Sequence, residues 1–98
     1  MSNRLLLLNN VSENTTGARL LVGTADGVNF GCAFTSLGGG TLKIYELPTE
    51  DSPKPALPIY STTTGEPKHL AVSRDSWLMA ELTGATGPSG VTAWAVKL

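Results

Sequence analysis

Apolar and polar residues in this chain alternate in short bursts with a period of two, and no stretch sustains the 3.6-residue period of a helix. Leu5-Leu6-Leu7-Leu8 is a brief apolar run closed by Asn9 and Asn10, which suits a buried strand. Asn9 to Gly17 is polar and turn-rich, and Ala18 to Val22 is a second apolar run closed by Gly23. Ala25-Asp26-Gly27-Val28 carries an Asp-Gly turn signal. From there Val28, Phe30, Cys32 and Phe34 alternate with Asn29, Gly31, Ala33 and Thr35, the pattern of a half-buried strand. Thr41 to Leu47 alternates with Leu42 and Ile44 on one face, and Lys68 to Ser73 with Leu70 and Val72 inward.

The last third is the clearest part. Ser76 to Leu82 and Val91 to Leu98 are apolar runs on either side of Thr83-Gly84-Ala85-Thr86-Gly87-Pro88-Ser89-Gly90. Three glycines and a proline in eight residues predict a tight connection, and the simplest reading is a C-terminal β-hairpin. A loop centred near Gly87 would make Trp77 and Trp94 cross-strand neighbours, and the alternation would send Leu78 and Val96 inward. Gly38-Gly39-Gly40 lacks the Lys-Ser/Thr pair of a phosphate loop and precedes a strand pattern, so it reads as a tight connection or bulge. Pro48 to Pro58 holds four of the six prolines and reads as an extended loop. About seven or eight short strands at roughly ten-residue spacing predict an all-β fold, a single antiparallel β-sandwich or small β-barrel, formed as one domain over residues 1–98.

Composition narrows the function. Charged residues make up 15% and the net charge is −1. There is no basic excess for a nucleic-acid backbone and no acidic tract for a basic partner, so no nucleic-acid partner is expected. A surface this short of charge points to contact with another protein. The apolar run after Arg4 is four residues, too short for a signal-peptide core of about seven or more. Nothing is long enough to span a bilayer, so no membrane partner is expected either. Asn10-Val11-Ser12 and Asn14-Thr15-Thr16 match the glycosylation sequon by chance in a polar loop.

Candidate chemistry is sparse. Cys32 is the one cysteine and His69 the one histidine, so no disulfide closes within the chain. Cys32 reads as a small buried hydrophobe near Phe30 and Phe34. The carboxylates fall mostly in predicted turns, and Glu81 reads as the outward-facing residue of an alternating strand. No catalytic, cofactor-binding or metal-binding set is expected, and no enzyme activity. Of the six aromatics, Trp77 and Trp94 are candidates for an interface anchor, where Trp is enriched.

Leu37-Gly38-Gly39-Gly40-Thr41-Leu42-Lys43-Ile44 and Leu78-Met79-Ala80-Glu81-Leu82-Thr83-Gly84-Ala85-Thr86-Gly87-Pro88-Ser89 resemble segments of small tailed-bacteriophage virion proteins. These are the capsid decoration (cement) and head-fibre proteins, and the resemblance spans Asn29–Glu46 and Leu70–Leu98. It implies a structural protein on the capsid surface of the virion, made in the bacterial host cytoplasm. The implied partners are the major capsid protein and copies of itself in a homo-oligomer. The other function considered is a receptor- or carbohydrate-binding β module of a phage fibre or tail. The expected contact residues are Leu5 and Leu6 in the N-terminal run, Pro53, Pro55 and Pro58 in the proline segment, and Trp77 and Trp94.

Overall fold

The computed structural model describes residues 3–98. Nine antiparallel strands form two facing sheets, and no helix occurs among the described residues. In chain order the strands are β1 (Arg4–Val11), β2 (Thr15–Thr16), β3 (Leu20–Leu21), β4 (Gly27–Ala33), β5 (Thr41–Leu47), β6 (Tyr60–Thr62), β7 (Lys68–Ala71), β8 (Trp77–Thr83) and β9 (Val91–Lys97). Sheet I runs β1-β9-β4-β7. Sheet II runs β2-β8-β5-β6, with β3 also paired to β8. The all-β expectation holds; β3 lies within the Ala18–Val22 run, and β2 forms in the stretch that reads as polar and turn-rich.

The period-two alternation is what makes a two-sheet core possible, since each strand turns one face inward. Leu42 and Ile44 of β5 join Leu78, Ala80 and Leu82 of β8 on the inner face of sheet II. Val28 and Phe30 of β4 join Val91, Ala93 and Ala95 of β9 on the inner face of sheet I. Alanines at three central positions let the sheets approach closely. Leu70 and Val72 are buried as expected. Phe30 meets Tyr60 edge-on, with ring centroids 5.5 Å apart at 64°, and this contact joins the sheets.

The C-terminal hairpin does not form. β8 is a central strand of sheet II and β9 a central strand of sheet I, and they do not pair. The reason is where the loop's backbone groups bond. Thr86 N–H donates to Gly38 C=O at 2.9 Å, and Ser36 and Ser89 form an antiparallel bridge. The Gly/Pro loop therefore pairs with the turn around Gly38 rather than folding its own arms together. It carries the chain from one sheet to the other. Each apolar run is left with two other neighbours, and burial in the middle of a sheet suits it better than a hairpin would. Val96 consequently points outward, opposite Arg4 and Asn29, and the inward residue beside it is Ala95.

Candidate functional site

The strand register sorts the expected contact residues onto two separate surfaces. On the outer face of sheet I, Leu6 of β1 lies opposite Trp94 of β9, which lies opposite Gly31 of β4. Arg4, Val96 and Asn29 form the next row on that face. Gly31 is the reason the indole can lie down. A Cβ built there would sit 2.8 Å from Trp94 Nε1 and Cε2, so the ring occupies the space a side chain would need. The Arg4 guanidinium carbon is 5.0 Å from the centroid of the Trp94 ring, within cation–π range. Leu6 is 45% exposed, and Trp94 and Val96 are half-buried. Leu5 faces the other way and packs against the main core, so within the Leu run Leu6 is the outward residue.

The second surface is the outer face of sheet II. Tyr45, Leu47 and Met79 lie there by register, yet all three are buried, with Trp77 half-buried against them. Segment 48–58 folds back toward this face. Arg19 Nη1 donates to Glu50 C=O at 2.7 Å and also to Ser52 C=O. Lys54 Nζ lies 5.3 Å from the Tyr45 ring centroid and 3.2 Å from Glu81 Oε2. Pro53 is exposed, and Pro55 and Pro58 are half-buried in this strap. The expected grouping of Trp77 with Trp94 therefore fails, since the two rings sit on opposite outer faces. Glu81 does face outward, but it is held by Lys54 and by the Thr16 hydroxyl at 3.0 Å. Leu57, at the far end of the strap, is 79% exposed; nothing in the alternation of so proline-rich a segment singles it out.

Titratable groups do not converge. Cys32 faces the interior of sheet I and His69 the exterior, where its Nδ1 is 3.2 Å from Asn29 Oδ1. Burial pushes the Cys32 thiol up, away from the thiolate form, and its Sγ lies 3.5 Å from Gly65 C=O. Side-chain hydrogen bonding and charge from Arg74 hold Asp26 below the usual carboxylate range, in an exposed pair with Nε–Oδ1 at 2.7 Å. Hydroxyl donors on Thr64 and Thr62 hold the Glu66 carboxyl down as well. A pocket of about 330 Å³ is lined by Glu46, Leu47, Pro48 and Ser73 to Ser76. Its Glu46 carboxylate already accepts from Ser73 N–H at 2.6 Å and from the Ser76 hydroxyl at 2.8 Å. Among the described residues no group of three or more His, Cys, Asp or Glu could hold a metal ion, and no helix is long and apolar enough to cross a membrane.

The two segments that carry the virion resemblance meet in space. Besides the Thr86–Gly38 bond, Leu37 and Pro88 are both buried here. They form one end of the sandwich as a single packed unit. No family model matches the chain, and neither the curated proteins nor the solved structures provide a match.

Proposed function

We propose that the protein is a structural component of a bacteriophage particle, a decoration (cement) protein bound to the outer surface of the head. One observation carries this reading. A stripe of Leu6, Trp94 and Val96 lies on the outside of a four-stranded sheet whose other face is core. A rigid sheet presents such a stripe without the entropy loss of ordering a loop. The resemblance of the Leu37–Ile44 and Leu78–Ser89 segments supplies the particle. In this role the chain binds the major capsid protein, works as a homo-oligomer, and adds buried area across joints between capsid subunits. At about 25 cal/mol per Å² of apolar area, repeated over many copies, modest contacts oppose internal pressure.

The test is the composition of gradient-purified particles of the phage that encodes this chain. Peptides from the chain at a fixed ratio to the major capsid protein, with antibody labelling on the head surface, are the expected result. Particles without the chain would sink the proposal.

A second reading, a carbohydrate-binding module of a fibre or tail, is favoured by the flat Trp94 ring on Gly31. Sugars stack on such rings. The Arg4 guanidinium is already within cation–π distance of that ring, competing for its π surface, so the first reading is preferred. Quenching of Trp94 emission by a host surface glycan, at concentrations that leave head binding unchanged, would reverse the preference.

A further inference from the structure

Most of the sheet edges in this molecule are short or covered. β2, β3 and β6 are two or three residues long. The chain returns across β1 at Gly17, where an added Cβ would run into the Leu7 carbonyl oxygen. β7 is different. Its one strand neighbour is β4, and Val72 N–H, just beyond its end, donates to Asp26 C=O at 3.3 Å. That register turns the backbone groups of Lys68 and Leu70 toward β4, and those of His69 and Ala71 toward the open side. Among the described residues nothing bonds the N–H and C=O groups of His69 and Ala71. Both side chains are exposed on the outer face of sheet I. The His69 ring leans back over β4, with Nδ1 3.2 Å from Asn29 Oδ1 and Cε1 3.2 Å from where a Gly27 Cβ would stand. It therefore leaves the edge uncovered.

We propose that β7 pairs antiparallel with β7 of a second copy, joining the two four-stranded sheets into one continuous sheet. The proposal deepens the functional reading above and rests on it for the role of the dimer. Hydrogen bonding selects a second copy, because an antiparallel edge is its own complement under a two-fold axis. With Leu70 opposite Leu70, His69 of each copy faces Ala71 of the other, and each such pair exchanges two N–H···O=C bonds. The imidazole meets a small residue in that register and is already turned away from it. Charge does not oppose the pairing. Lys68 is the one Lys, Arg, Asp or Glu in β7, and it falls opposite Val72 of the other copy. The two Lys68 residues then stand about 14 Å apart at 3.4 Å per residue, beyond a Debye length of about 10 Å. The two-fold axis is normal to the sheet, so both outer faces point the same way. The two Leu6–Trp94–Val96 stripes lie about five strand spacings apart, roughly 24 Å, on one surface. Two linked contacts with the head then hold far more tightly than one.

The experiment follows self-association of the purified chain by sedimentation velocity from about 1 to 500 μM, a range that brackets a modest interface. Wild type should pass from monomer to dimer across it. Ala71→Pro deletes an edge N–H that β4 does not use, and should weaken the dimer by about tenfold or more. Ala71→Lys keeps the backbone intact and sets a charged side chain on each bonded pair, with an expected loss also of about tenfold. It decides the question if circular dichroism shows the proline variant misfolded. Leu6→Ser, on the stripe, should stay within about twofold of wild type. In a Cys32→Ser background, mixed His69→Cys and Ala71→Cys chains should cross-link on oxidation faster than either chain alone, because only the mixture sets the two sulfurs opposite each other. A monomer at every concentration overturns the proposal. So does a dimer that the Ala71 variants leave intact, one that Leu6→Ser dissolves instead, or equal cross-linking in all three samples. Binding to heads of the encoding phage is measured alongside. A dimer that binds no head defeats the functional reading and leaves the edge pairing standing. A monomer whose head binding is lost in Ala71→Lys overturns the pairing and gives the edge to a strand of the capsid protein.

Discussion

Gly31 and Gly38 are both crowded, but by different kinds of atom, and that difference predicts different outcomes. A Cβ at Gly31 meets the far end of the Trp94 side chain, which is half-exposed and free to swing away. Gly31→Ala should therefore cost less than about 1 kcal/mol of stability while shifting Trp94 emission, read in a Trp77→Phe background. At Gly38 φ is +63°, and a Cβ would sit 2.5 Å from the Thr86 carbonyl oxygen and 2.9 Å from Pro88 N. Those are backbone atoms of the loop that links the sheets, and no rotamer change removes them. Gly38→Ala combines left-handed strain with overpacking and should cost about 2–4 kcal/mol. Denaturant midpoints of the two variants check both values. Equal losses would mean that Trp94 is wedged rather than merely resting on the sheet.

At the scale of elements, the turn after β6 is built around one carboxylate. Glu66 accepts from the Thr62 hydroxyl at 3.1 Å and from Thr64, while Tyr60 OH donates to its backbone carbonyl at 3.0 Å. Thr62 is itself buried and accepts from the N–H groups of Thr64 and Gly65. Gly65 C=O in turn holds the Cys32 thiol. Because the folded pKa of Glu66 is depressed, its contribution is fully present above about pH 5 and fades as pH falls below the ordinary carboxylate value near 4.3. Glu66→Gln should flatten the acid limb of the stability curve. It should also speed labelling of Cys32 by a thiol reagent at mildly alkaline pH, since the turn that shields the sulfur loosens. Unchanged labelling would show that Cys32 is protected by sheet packing alone. The strap is a second such element. Arg19→Ala removes the donor to Glu50 and Ser52 carbonyls and should cost about 1–2 kcal/mol. It should also red-shift Trp77 emission as the Tyr45–Met79 cluster opens to water, and no shift would mean that the prolines hold the strap unaided.

These elements also mark how much of the fold is legible in the amino-acid sequence. The inward residues of β4, β5 and β7 follow directly from alternation, because each strand turns one face to the core between the sheets. Tyr45, Leu47 and Met79 did not follow the same rule. They are buried on an outer face by a strap fixed through Arg19, thirty-one positions from Glu50, and no local pattern encodes that contact. The false hairpin has the same origin. Thr83–Gly90 has turn chemistry, but its partner is the Gly38 turn rather than its own flanking strands, and hydrogen bonds between two distant loops leave no periodic trace. Of the expected contact residues, Leu6 and Trp94 do share a face, and that pairing depends on β1 lying beside β9, which only the strand order provides.

For the whole molecule, the strand order ties the beginning of the described chain to its end. β1 pairs β9 antiparallel, with Arg4 opposite Val96, and Lys97 N–H donates to Asn3 C=O at 2.7 Å. Residues 3 and 97 are therefore neighbours, and a short flexible linker could join them without crossing the sandwich. The strap offers the complementary place to cut. Leu57 stands 79% exposed, and its neighbours bear no strand pairing until Tyr60. A circular permutant that joins residue 98 to residue 1 through a Gly/Ser linker and begins at Leu57 should keep the β-rich far-UV spectrum and lose only about 1–3 kcal/mol. The loss comes mainly from the strap, whose 48–56 arm stays clamped to Arg19 through Glu50 and Ser52 but loses its covalent link to β6. Opening the chain instead at Gly87 should be far more damaging, although that site looks equally loop-like. There the cut would separate β8 from β9, the central strands of the two sheets, and would break the contact between the Gly38 turn and Thr86 that orients one sheet over the other. The comparison is read from chemical denaturation of both permutants beside the parent chain. If the Gly87 opening is tolerated as well as the Leu57 opening, the loop-to-loop contact contributes little, and facing alanines and leucines alone set the arrangement of the sheets.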